Sequence, residues 1–77
     1  MLNWVYERDV NWHTAIINDE RDYVMVYKTA AGDYAVSAAR DDDPSGGEVE
    51  FEQSLVQAKK HAERIVSDGT YKQYILQ

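Results

Sequence analysis

Residues 51–69 read FEQSLVQAKKHAERIVSDG, and their spacing predicts one amphipathic helix whose apolar stripe the rest of the chain must cover. Phe51, Leu55, Ala58, Ala62, Ile65 and Val66 recur at the period of a helix with one buried face, and no strand-like alternation competes with it. Ser54 followed three residues later by Gln57 fits a capping box, in which the Ser hydroxyl accepts from the Gln57 amide and the Gln side chain reaches back to the cap amide. The helix proper therefore starts near Leu55. Gly69, after Ser67 and Asp68, supplies the left-handed conformation that commonly ends a helix, giving a length of about 13 to 14 residues. Gln57, Lys59, Lys60, Glu63 and Arg64 occupy the opposite face. Of their i, i+4 pairs, Lys59 with Glu63 attracts and Lys60 with Arg64 repels, each by a few tenths of a kcal/mol.

Upstream, β-prone segments alternate with turns. NWVYE (3–7) and VNWHTAII (10–17) read as one long bent strand or two short ones, with Arg8-Asp9 as the break. Within the second piece Val10, Trp12, Thr14 and Ile16 share one face and Asn11, His13, Ala15 and Ile17 the other, a contrast too weak to assign the buried side. NDERD (18–22) is a polar turn. YVMVYK (23–28) and YAVSAA (34–39), joined through Gly32-Asp33, read as an antiparallel hairpin with Tyr23, Met25 and Tyr27 on one face and Val24 and Val26 on the other. EVEFE (48–52) places Glu48, Glu50 and Glu52 opposite Val49 and Phe51, as a short edge strand or an extended lead into the helix. The tail TYKQYILQ is β-prone and is a candidate for a last strand. The expectation is a single α+β domain over residues 1–77. A three- to four-stranded antiparallel sheet packs on one amphipathic helix, in the order β-β-β-(β)-α-(β).

Composition excludes more activities than it indicates. Seventy-seven residues make one small core, and with no Cys neither a disulfide nor thiolate chemistry is available. No apolar run approaches the roughly 20 residues of a membrane span, and the start MLNWVYERDV lacks the features of a signal peptide, so a cytoplasmic protein is expected. The formal charge of −6, from 14 acidic and 8 basic residues, disfavours direct binding of nucleic acid or anionic membranes and suits a basic partner. His13 and His61 are the only imidazoles, and neither sits in a metal-binding or nucleophile motif. No cofactor and no catalysis are expected. Trp4, Trp12 and six Tyr serve a small core or a recognition surface.

The unexplained chemistry lies in RDDDPSGG (40–47) and the residues after it. Asp41, Asp42, Asp43, Glu48, Glu50 and Glu52 fall within twelve positions with no base among them, a local field able to imitate a phosphate backbone or dock on an Arg and Lys patch. The same run admits a second reading. Asp41, Asp43, Ser45, Gly46 and Glu52 match positions 1, 3, 5, 6 and 12 of an EF-hand calcium loop, against which stand Pro44, the charged Glu48 and a strand-like lead-in.

Ser54, Leu55, Ala58, Lys59, Ala62 and Glu63 spell SLxxAKxxAE. With the Trp-containing strand and the hairpin 23–39 ahead of them, they resemble small phage and bacterial proteins, a group that includes acidic inhibitors of host defence of the anti-CRISPR and anti-restriction type. The resemblance implies a non-catalytic inhibitor that mimics DNA charge before a basic protein surface, and it carries over no functional residues. A homodimer, through an edge strand or the aromatic face, is the further partner allowed by the pattern.

Overall fold

Five strands follow one another in the computed structural model, which describes residues 2–40 and 49–75. They are β1 (Val5–Glu7), β2 (Trp12–Ile16), β3 (Tyr23–Lys28), β4 (Tyr34–Ala39) and β5 (Glu50–Glu52). Each pairs antiparallel with the next, in the spatial order β1-β2-β3-β4-β5. Helix α1 (Leu55–Ser67) packs on β3, β4 and β5, and a one-turn helix α2 (Lys72–Ile75) packs on β4. The domain is α+β, with the N-terminal β-prone stretch split into two strands and EFE forming the edge strand. Among the described residues no helix is long and apolar enough to cross a membrane.

Local chemistry sets each reversal. Asn11, at φ 54°, closes the β1–β2 turn, and its side chain accepts from the Tyr6 hydroxyl at 2.9 Å. In the 18–22 turn the Asn18 side-chain oxygen accepts from the amides of Glu20 and Asp22 while its nitrogen donates to Asp22, an Asx-type closure that lets Arg21 adopt φ 66°. Gly32, at φ 97°, supplies the left-handed residue of the β3–β4 turn, where Thr29 and Asp33 bond through both backbone and side chain.

The register sorts the strand residues onto two faces. Facing the helices are the rows His13, Val26, Val36, Glu50 and Ala15, Val24, Ala38. Their apolar members form the core with Ala58, Ala62 and Ile65 of α1 and Tyr74 of α2. In β2 the buried side is therefore that of Ala15, which weak polarity contrast had left open. Val24, Val26 and Val36 are the largest fully buried side chains, so the core is built from small residues. The opposite, outer face carries the rows Glu7, Trp12, Tyr27, Ala35, Phe51 and Val5, Thr14, Met25, Ser37, followed by Ile16, Tyr23, Ala39. Phe51 belongs there, 57 % exposed, and not to the helix stripe that its spacing suggested. The fourth buried position of α1 is His61, which keeps the same phase as Ala58, Ala62 and Ile65.

Helix α1 begins and ends as its sequence dictates. Ser54 is the N-cap and its hydroxyl accepts from the Gln57 amide at 3.2 Å. Gly69, at φ 83°, turns the chain after the C-cap Asp68, and the Tyr71 amide returns to the Ile65 carbonyl at 2.9 Å. The tail is one helical turn where its composition favoured a strand. The edge of β4 is already occupied by β5, and the reversal at Gly69 drops Tyr74 into the core, burial that outweighs intrinsic β-propensity. Replacing the cap, Ser54→Ala, is expected to lower unfolding free energy by about 1 kcal/mol, read from urea melts; an unchanged midpoint would show the cap to be dispensable.

Candidate functional site

Alternation along β5 turns Glu50 and Glu52 to the helix side of the sheet and Phe51 to the outer side. There α1 presents His61, only 7 % exposed, between the two carboxylates. Its Nδ1 lies 2.8 Å from Glu52 Oε2 and its Nε2 lies 3.5 Å from Glu50 Oε1. The Tyr74 hydroxyl of α2 donates to the same Glu50 oxygen. The cluster thus joins the edge strand to both helices. Glu52 is largely covered, and Glu50 stays about half exposed.

Both ring nitrogens of His61 face carboxylates, so the cluster fixes the edge strand against α1 and α2. Among the described residues no group of three or more His, Asp or Glu is disposed to hold a metal ion. Of the six acids expected to meet a partner, Glu50 and Glu52 are placed here, whereas Asp41, Asp42, Asp43 and Glu48 lie outside the described residues. So do Ser45 and Gly46 of the calcium reading. Its twelfth position, Glu52, sits within a strand and is engaged by His61. His61 was legible as an in-phase member of the helix stripe; Tyr74 carried no signal before the fold of the tail was known.

The second imidazole, His13 on β2, lies on the helix side of the sheet with its ring 4.7 Å from that of Tyr6. Burial, and then the positive charge of Lys59, hold its pKa below the ordinary value. The Lys59 ammonium is 5.4 Å from the centre of the Trp4 ring, a cation–π contact that ties α1 to the N-terminal segment. Trp4 Nε1 is buried without a hydrogen-bond partner, a local cost of roughly 1–3 kcal/mol that the ring's packing against the core must offset.

Comparison with known proteins finds no match to a family model, to a curated protein or to a solved structure.

Two outcomes test this description. A double-mutant cycle of Glu52→Gln and His61→Gln should show a coupling of about 1 kcal/mol, and additive single effects would mean that the contact contributes nothing. The lowered His13 pKa makes the folded state bind fewer protons than the unfolded chain near and below pH ~6.5. The associated stability is complete above the unfolded pKa and is lost as pH falls through the lower, folded value. His13→Gln should remove that part of the slope when urea melts are compared between pH ~7 and ~5; identical slopes for both proteins would refute it.

Proposed function

We propose that the protein is a non-catalytic binding module that docks the acidic run Asp41 to Glu52 on a basic protein surface, in the manner of a phage-type inhibitor that imitates DNA charge. The observation that supports this most is the anchorage of the end of the run. Glu50 and Glu52 are held on β5 by His61 and Tyr74, so two of its acids are fixed before a partner arrives and lose less side-chain entropy on binding. Glu50 stays about half exposed and can still meet a partner. With six acids in twelve positions and a net charge of −6, long-range attraction would draw a basic surface to the run and repel nucleic acid itself. Such a surface is found on proteins that grip nucleic-acid backbones.

Capture of proteins from bacterial lysate on the immobilised chain at about 50 and about 500 mM salt tests the reading, because screening at the higher salt shortens the reach of surface charge to a few ångström. A partner retained at low salt should be released at high salt and lost with Asp41→Asn, Asp42→Asn and Asp43→Asn combined. A partner that ignores both salt and the triple substitution would overturn the proposal.

A further inference from the structure

The helices cover only part of the inner side of the sheet. Helix α1 packs on β3, β4 and β5 and α2 on β4, so Tyr6 of β1 and His13 of β2, paired on that same side, stand at a flank beside α1. Lys59 reaches this flank from the helix, its ammonium over the Trp4 ring. Of the eight Lys and Arg residues Lys59 alone is not exposed, and among the described residues no carboxylate lies within ion-pair distance of it. Glu63, one turn further along α1, is exposed and makes no pair with it. A half-buried ammonium in a chain of 14 acids would ordinarily be matched by one of them. His13 sits in the same field. Burial, and then the charge of Lys59, lower its pKa, so near neutral pH the ring carries one N–H and one lone pair. Neither ring nitrogen has a hydrogen-bond partner among the described residues, and the Tyr6 hydroxyl beside it is committed to Asn11. The flank thus holds one unmatched cation next to one unused imidazole.

We propose that this flank binds a phosphate group between Lys59 and His13. The donors and acceptors match. The second proton of a phosphate group titrates near neutral pH, so its oxygens accept from the ammonium while its remaining hydroxyl donates to the imidazole lone pair. Where the dianion binds, His13 takes up the proton instead, and the same charges meet. A carboxylate or a sulfate has no proton to give at this pH. The Trp4 ring holds the ammonium from one side and leaves the N–H groups on the other side free to donate. The net charge of −6 opposes any anion at long range, but at about 150 mM salt charges beyond about 8 Å are largely screened, and the local cation decides.

The site shares no residue with the acidic run, and its failure would leave that reading untouched. Proton NMR of the His13 ring follows it directly, with His61 as an internal reference and the dispersion of the spectrum as the check on folding. Orthophosphate added to the full chain at pH ~7 and constant ionic strength should give a saturable shift of the His13 signal, with a Kd of about 1–10 mM, as expected of two charge-assisted hydrogen bonds. The His13 titration midpoint should be higher in phosphate than in chloride, because a bound anion favours the charged ring. Lys59→Gln should weaken binding at least tenfold, Lys59→Arg should retain it, and Lys60→Gln, at the exposed neighbour, should leave it unchanged. Sulfate should bind at least tenfold more weakly than phosphate. Methyl phosphate distinguishes the sources: equal binding assigns the site to phosphate esters and loss assigns it to the free ion, and both support a phosphate site. A His13 signal that does not saturate, or that answers equally to sulfate, overturns the proposal. So does binding that ignores Lys59→Gln or falls as far with Lys60→Gln.

Discussion

The close approach of α1 to the sheet governs the rest of the molecule. Ala58 and Ala62 put little more than a methyl group between the helix backbone and the valines of β3 and β4, and the fully buried layer holds nothing larger than Val. Close-packed interiors leave no slack, so side chains too large for that gap must go elsewhere. Trp12, Tyr23, Tyr27 and Phe51 lie across the sheet from the helix because their strand positions share the outer parity, and the ring that enters the core, Tyr74, comes from α2.

The same approach brings β5 under the helix, where its parity sends acids inward. A carboxylate moved away from water is costly unless it finds a donor or a positive charge. His61 Nδ1 lies within hydrogen-bond distance of Glu52, and the Tyr74 hydroxyl donates to Glu50. A register slip of one residue would send Phe51 to the helix and both Glu side chains outward, the arrangement that hydrophobicity alone would choose. The imidazole and the phenol make the observed register acceptable, and they hold the last acids of the 41–52 run in place.

What could be read from the chain beforehand follows how local each determinant is. Helix α1, its Ser54 cap and its Gly69 stop depend on residues within a few positions of one another, and they stand where spacing puts them. The 23–39 hairpin and its Gly32 turn are equally local. The inward face of β2 was not legible, since Ala15 and Ile16 differ too little in polarity for alternation to choose between them. Phe51 was read two ways, into the helix stripe by its distance from Leu55 and into the EVEFE strand by alternation, and the pairing with Ala35 decides for the strand. The tail failed for a similar reason: its β-prone composition carries no trace of the pocket that receives Tyr74. At the candidate site the acids were evident as a run, whereas the partners of Glu50 and Glu52 come from residues 9 to 24 positions further on and needed the fold.

The strand order has a kinetic side. Each strand pairs only with its neighbours in the chain, so sheet formation never waits on the joining of distant segments. Folding rates fall as the average separation of contacting residues grows, because the entropy of closing large loops must be met before the contacts reward it. A meander can grow outward from one hairpin, adding a strand at a time, and the 23–39 hairpin has the longest ladder from which to start. The helix can only dock once β3 and β4 are side by side. A chain this short, with a core of alanine and valine, thus gains in speed of assembly some of what it lacks in buried mass.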